Sequence, residues 1–169
     1  MNIAIMGPIF VKVDSEGIEF TSESLKLAER LAKNHNVSFI SSIGNTYVRP
    51  LIKPEIAARG INTDHIHLET FGTGFIISKD LGRFNDDIIQ YPSLSKCSEY
   101  VQRHPCIFWH ADAFILSCEH YELIELSKKN DVIPYLYLPE DAFEHLDDDD
   151  EELLENITRL NDDNISSYF

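Results

Sequence analysis

The chain has 169 residues and a formal net charge of −15. Its 43% content of hydrophobic residues is enough for one globular domain with its own core. No apolar run reaches the roughly 20 residues of a membrane span, and no basic, apolar leader predicts a signal peptide. The large negative charge argues against binding to nucleic acid and to anionic membranes.

Strands and helices alternate through most of the sequence, because short β-branched runs are followed by segments with helical spacing. In chain order we predict a strand over 1–6 with a continuation over 9–13, a helix capped by Thr21 or Ser22, a strand over 37–43, a helix over 50–59, strands over 66–68 and 74–78, a helix capped by Ser93, a strand over 113–118, a helix over 119–130 and a strand over 132–138. This order predicts an α/β fold, with a largely parallel sheet between two layers of helices.

We divide the chain into an α/β domain over residues 1–139 and an acidic segment over 140–169. A helix predicted over 151–160 has Leu153, Leu154, Ile157 and Leu160 on one face. We expect this face to pack on the core; the alternative is that it docks a partner. The acidic segment has twelve carboxylates and one basic residue, Arg159, so it carries −11 of the total charge.

The acidic segment contains an unbroken run of carboxylates: Asp147, Asp148, Asp149, Asp150, Glu151 and Glu152. One interpretation is a solvated tail that aids solubility. The other is a docking surface for a basic protein, since acidic surfaces speed the capture of basic partners and respond to salt.

Cysteine and histidine are concentrated between residues 104 and 120, at His104, Cys106, His110, Cys118 and His120. The chain has three cysteines, an odd number without paired spacing, so we expect a reducing, cytoplasmic environment and no disulfide framework. The spacing matches no usual zinc site, so no metal and no other cofactor is predicted. We expect Cys118 to be a small core residue rather than a nucleophile, and Trp109 to lie in the core.

Several segments resemble the ribokinase-like (PfkB) sugar and nucleoside kinases. They are VSFISSI at 37–43, ARGINTDHI at 58–66, GTGFIIS at 72–78, ADAFILSCE at 111–119 and KKNDVIPYLYLP at 128–139. The resemblance covers residues 1–139 and rests on the order and spacing of these segments. It implies the ribokinase-like fold.

The same resemblance has departures that bear on activity. The position at which the family has a sugar-binding acid falls near Lys12, with Asp14 two residues further on. Phe20, Thr21 and Leu25 stand near the family's Gly-Gly and Asn. The lid connection is cut to a few residues around 14–18, so we expect little to cover a ligand. Gly82 is the last glycine, so no glycine-rich anion hole follows residue 139. Kinase activity is therefore not expected of this chain alone.

Three function hypotheses follow. We favour a non-catalytic interaction protein that binds and neutralises a basic protein, as a toxin inhibitor or immunity protein does. The alternatives are a module that binds a sugar or nucleoside, and a kinase component completed by a second chain or by a homodimer. For the binding module the candidate ligand residues are Gly72, Thr73, Gly74 and Asp112, although a lone G-x-G in a strand more often marks a bulge or a tight turn, and Asp112 more often lies in a capped turn.

Overall fold

The computed structural model describes residues 1–69, 73–77, 87–90, 92–138 and 154–169, with the backbone alone described over 87–90. Within these ranges the strands are Asn2–Met6 (β1), Phe10–Val13 (β2), Ile18–Thr21 (β3), Asn36–Ile43 (β4), Ile61–Asn62 (β5), Ile66–Leu68 (β6), Gly74–Ile77 (β7), Asp87–Gln90 (β8), Ala113–Leu116 (β9), Ile133–Leu136 (β10) and Thr158–Arg159 (β11). The helices are Glu23–Ala32 (α1), Arg49–Ala58 (α2), Ser95–Arg103 (α3) and Glu122–Lys129 (α4).

The main sheet has the strand order β11-β10-β9-β1-β4-β5. Strand β6 pairs with the last three residues of β4, after the part of β4 that pairs with β5. All of these pairs are parallel. The central strand β1 is buried from Ile3 to Met6, as expected for a strand covered on both faces. The prediction of an α/β fold with a largely parallel sheet is confirmed.

Helices cover both faces of the main sheet. Because side chains alternate along a strand, Ile3 and Ile5 belong to the core cluster formed with α1 and α2. Ala4 and Met6 belong to the opposite cluster, formed with α3 and α4. The three-layer arrangement is therefore confirmed. In the described part of the chain no helix is long and apolar enough to cross a membrane.

The predicted helix cap is correct for α1 and wrong for α3. Ser22 caps α1 as predicted, and its Oγ accepts a hydrogen bond from the Leu25 backbone N–H at 3.0 Å. Ser93 does not cap α3, because Leu94 occupies the cap position. The carbonyl of Ser93 instead accepts a hydrogen bond from the Ser42 hydroxyl at 2.6 Å, which ties the start of α3 to β4.

A second sheet has the strand order β3-β2-β7-β8. Its first two strands form a hairpin, in whose turn the Asp14 carboxylate accepts hydrogen bonds from the backbone N–H groups of Glu16 and Gly17 at 2.9 and 3.0 Å. Gly17 has φ 143°, which favours glycine. The connection predicted to be cut to a few residues around 14–18 is the turn of this hairpin, whose strand β2 pairs with β7; that it leaves little cover over a ligand stays a prediction.

The C-terminal segment differs in part from the helix predicted over 151–160. Leu154 is α-helical, residues 155–157 are not, and Thr158–Arg159 pairs with β10 as β11. Leu154, Ile157 and Leu160 are nevertheless buried, so the expected packing on the core holds for these residues. The boundary between residues 139 and 140 lies outside the described residues and stays a prediction.

Candidate functional site

A cleft of about 470 Å³ opens at the carboxyl edge of the main sheet. Strands β1 and β9 both end there, and the Ser117 backbone N–H donates to the Met6 carbonyl at 2.8 Å. Gly7 and Pro8 lead from β1 into the second sheet, which forms one wall, and the first turn of α1 forms the other. In open α/β sheets this edge is where ligands usually bind.

The wall formed by the second sheet is set by strand register. Lys12 on β2 stands opposite Glu19 on β3 and Ile76 on β7, and all three line the cleft. Phe10 lies two residues closer to the main sheet, on the same face as Lys12, and also lines the cleft. The alternate residues of β2 and β3 turn to the core, where Val11 and Phe20 are 1% exposed. The cleft therefore faces the mixed polar and aromatic side of this sheet.

The wall formed by α1 presents hydroxyl groups. The Oγ atoms of Ser22 and Ser24 lie 3.0 Å apart within hydrogen-bonding distance, and both residues line the cleft with Glu23 and Lys26. The Lys26 ammonium donates to the Glu23 carboxylate at 2.8 Å. Because a hydroxyl both donates and accepts, this wall can accept a hydrogen bond from a ligand hydroxyl or donate one to it.

Two glycines leave room for neighbouring side chains at this cleft. A Cβ on Gly7 would lie 2.6 Å from Ser24 Cβ and 3.3 Å from Ser117 Cβ, so only glycine lets the end of β1 approach the first turn of α1. A Cβ on Gly74 would lie 2.5 Å from the Phe10 ring. Within the second sheet, Gly74 on β7 therefore leaves room for the Phe10 ring on the neighbouring strand β2.

The predicted ligand residues near this edge have other contacts. Thr73 is fully buried, and its Oγ1 accepts a hydrogen bond from the Gly44 backbone N–H at 2.7 Å, which joins the end of β4 to the start of β7. Gly74 packs against the Phe10 ring without lining the cleft. Gly72 lies outside the described residues.

Asp112 lies at the opposite, amino edge of the sheet. Its carboxylate accepts a hydrogen bond from the Asn2 backbone N–H at 2.7 Å, and its own N–H donates to the Asn2 carbonyl at 2.8 Å. Strand β9 separates it from Ser117 by about 16 Å, at roughly 3.3 Å per residue. The structure does not bring Asp112 together with Thr73 and Gly74.

A groove of about 470 Å³ also lies at the amino edge, lined by Asn36, Asn62, His65, Cys106 and His110 among others. Of these, His65 is half-buried and the other four are exposed, and buried apolar residues such as Ile3 and Ile107 also line the groove. Nearby Trp109 is 71% exposed rather than in the core, because the buried positions of the preceding 3-10 helix are taken by Ile107 and Phe108.

The cysteine and histidine residues show no metal centre. Among the described residues no three His, Cys, Asp or Glu side chains are placed to hold an ion. Burial raises the pKa of the Cys118 thiol to about 12 and that of Cys97 to about 12, so both stay protonated at neutral pH. This agrees with a structural role for Cys118.

The acidic run from Asp147 to Glu152 lies outside the described residues, so its role stays a prediction. The cleft residues that sequence reasoning missed are the charged and hydroxyl side chains Glu19, Glu23, Ser24 and Lys26. The sequence analysis named Lys12, Thr21 and Ser22, which line this cleft, but not as ligand residues. A further signal in the sequence is the Gly7-Pro8 break directly after a buried strand, which marks the carboxyl edge of the sheet.

Comparison with solved structures shows that the fold is the ribokinase-like fold of PfkB-family carbohydrate kinases. An aminoimidazole riboside kinase from Salmonella enterica, solved with aminoimidazole riboside and an ATP analogue, is 12% identical with a TM-score of 0.63, and the match covers 91% of this chain and 56% of that one. A PfkB protein from Polaromonas is 11% identical with a TM-score of 0.62, covering 92% and 62% of the two chains. An uncharacterized sugar kinase from Pyrococcus horikoshii is 14% identical with a TM-score of 0.60, covering 90% and 61%.

At these identities the likeness shows the fold alone. The chain spans about half to three fifths of the length of the solved structures cited. No protein-family model matches the sequence, and no curated protein sequence matches it.

Proposed function

We propose that this chain binds a small polyhydroxylated ligand of the sugar class in the cleft between the second sheet and α1. The observation that carries the proposal is the make-up of the cleft at the carboxyl edge of the sheet, with hydroxyls, carboxylates and ammonium groups around one aromatic ring. Sugar hydroxyls need both donors and acceptors, and a ring such as Phe10 covers the apolar face of a pyranose or furanose.

The fold supports the same ligand class, because proteins that share it are carbohydrate kinases and one was solved with a riboside bound. The proposal concerns binding and not phosphoryl transfer. The ligand class is that of the sugar-binding hypothesis from the sequence. The residues proposed to bind it are those that form the cleft, in place of Thr73 and Asp112.

Isothermal titration of the chain with neutral sugars, including D-ribose, D-fructose and D-glucose, tests the proposal. We expect at least one to bind, and Glu19→Gln to weaken it about tenfold because a carboxylate acceptor is lost. Glu16→Gln is the matched control, since it removes the same charge from the hairpin turn outside the cleft. Silence across the panel at millimolar sugar, or equal losses in both variants, would refute the proposal.

A second candidate function is capture of a basic protein by the acidic segment. It rests on the net charge of −11 that residues 140–169 carry. Binding of the partner to the native chain should weaken as salt is raised. Replacing the six carboxylates from Asp147 to Glu152 by their amides should abolish that binding. A pull-down that recovers the same basic proteins with the amide variant, or none with the native chain, would remove this candidate.

A further inference from the structure

We propose that the cleft selects an uncharged sugar and rejects the corresponding sugar acid or sugar phosphate, because Glu19 and Glu23 already occupy its cationic positions. This inference rests on the proposed function and names the substrate class of the same site. It is carried by charge placement on both walls.

The first cationic position is the N-terminus of α1. In a ten-residue helix the free N–H groups and the helix dipole of the first turn favour an anion there. Here the Ser22 Oγ already accepts from the Leu25 N–H, and the Glu23 carboxylate stands in the first turn. The Ser22 hydroxyl and the Glu23 carboxylate therefore supply the hydrogen-bond acceptor and the negative charge that a ligand phosphate or carboxylate would otherwise provide at the helix N-terminus.

The second cationic position is Lys26, whose ammonium contacts the Glu23 carboxylate at 2.8 Å. Both side chains are mostly exposed, at 61% and 66%, so the pair itself stabilises the fold little. Its consequence for a ligand is larger than its consequence for stability. An anion that approaches Lys26 must also approach Glu23.

The third cationic position is Lys12, on the opposite wall. Register places it directly across from Glu19, and residues directly opposite in an antiparallel pair have Cβ atoms about 5 Å apart. Both residues line the cleft. A ligand anion near Lys12 would therefore lie beside a second carboxylate.

The charges of the cleft consequently balance. Its described lining residues include two ammonium groups and two carboxylates, inside a molecule whose net charge of −15 repels anions at longer range. A neutral hydroxyl can donate to a carboxylate or accept from an ammonium without meeting repulsion. Selectivity arises because the carboxylates disfavour the anionic competitor as well as bind the neutral ligand.

Isothermal titration with matched ligand pairs tests the inference, using D-ribose with ribose 5-phosphate, D-fructose with fructose 6-phosphate, and D-glucose with glucuronate. We expect the neutral member to bind at least about tenfold more tightly than its charged partner, as repulsion across a few ångströms near a protein surface implies. The preference should shrink as salt is raised.

The variant Glu23→Gln should reduce that preference at least about threefold by strengthening binding of the charged member. Glu29→Gln is the matched control, because Glu29 lies on the same helix outside the cleft, 3.5 Å from Arg59. Glu19→Gln, on the other wall, tests the same effect independently. The ratio of its affinities for the neutral and the charged member of each pair should also fall. Thermal melts of each variant confirm that it is folded.

The outcomes separate the two proposals. Tighter binding of the neutral member, with a ratio that falls in Glu23→Gln and not in Glu29→Gln, supports the inference. Where a neutral sugar binds, equal or tighter binding of its charged partner, or a ratio unchanged in both Glu23→Gln and Glu19→Gln, overturns the inference and leaves the proposed function standing. Binding of no neutral sugar overturns both.

Discussion

The two edges of the main sheet carry cavities of about the same volume, 470 Å³ each, yet they are built differently. At the carboxyl edge the cleft lies between a second sheet and the first turn of α1, and Gly7 leaves room for buried Ser24 against the end of β1. At the amino edge the groove combines exposed polar side chains such as Asn36 and His110 with buried apolar residues such as Ile3.

The comparison teaches that polar residues beside a strand do not by themselves make a site. Asp112 is such a residue, but its carboxylate is used to hold the backbone of Asn2. Glu19 and Glu23 look like ordinary surface charges in the sequence, and the fold places them in the same cleft. Strand register and the position of α1 bring these two carboxylates together.

Thiol reactivity should separate the two edges most strongly. Cys106 is exposed in the amino-edge groove, whereas burial raises the pKa of Cys118, just beyond Ser117, to about 12. Since the thiolate is the reactive form, iodoacetamide at pH 8 should modify Cys118 at least about 100-fold more slowly than Cys106. Peptide mass spectrometry over time measures both rates, and comparable rates in the folded chain would contradict the described burial.

Gly7→Ala tests the close approach that shapes the carboxyl edge. A Cβ there would overlap Ser24, so we expect a loss of roughly 1–3 kcal/mol in the free energy of unfolding together with loss of sugar binding. Urea unfolding and calorimetry measure the two effects.

The matched control is Ile52→Val, in the buried face of α2 away from the cleft. It should cost roughly 0.5–1.5 kcal/mol of stability and leave binding unchanged. Sugar binding that survives Gly7→Ala would show that the cleft does not depend on this contact.

Asp112→Asn tests the amino edge. It weakens the hydrogen bond from the Asn2 N–H, so we expect a loss of about 1 kcal/mol in stability and no change in sugar affinity. Thermal unfolding and titration of the same sample measure both. A weaker sugar affinity in this variant would move the ligand to the edge where Asp112 lies.

The smallest effect that we predict is a dependence of stability on pH. Burial lowers the pKa of His65 and His67 from 6.5, and His65, Lys53 and His104 lower that of His67 further. The folded state therefore resists protonation, so this stability is complete above pH 6.5 and is lost as the pH falls through 6.5 toward the lowered values. The Tm should fall between pH 7.5 and 5.5, and fall less in His67→Gln.

The control for that prediction is His110→Gln, at an exposed position of the amino edge. Its Tm should fall with pH as much as the native Tm does. If the native chain and His67→Gln lost the same Tm over this range, the burial of His67 would not contribute to the acid response.

The sequence predicted five of the seven strands of the main sheet, because most of them are short apolar runs whose neighbouring helices show clear spacing. It did not predict the two-residue strands β5 and β11. It missed β3 because residues 18–21 follow a turn and mix charged with apolar positions. It predicted a helix through Leu160 because Leu153, Leu154, Ile157 and Leu160 recur at helical spacing. Pairing with β10, which is remote in the chain, favours a strand there instead.

The cleft was harder to predict, because its residues come together through register and packing. Nothing local shows that Lys12 stands opposite Glu19, since the pairing depends on the exact turn at Gly17. The helix cap at Ser22 was readable, because capping is a local rule. The contact of Gly7 with Ser24 joins two elements, so the sequence alone does not show it.

The most direct test of the account is a map of amide chemical-shift changes in the isotope-labelled chain as a neutral sugar that binds in the titrations is added. We predict changes clustered at Lys12, Glu19, Glu23 and Ser24, with the amide of Asp112 unmoved. Changes centred instead on Asp112 and the amino-edge groove would contradict the claim that the carboxyl edge holds the ligand.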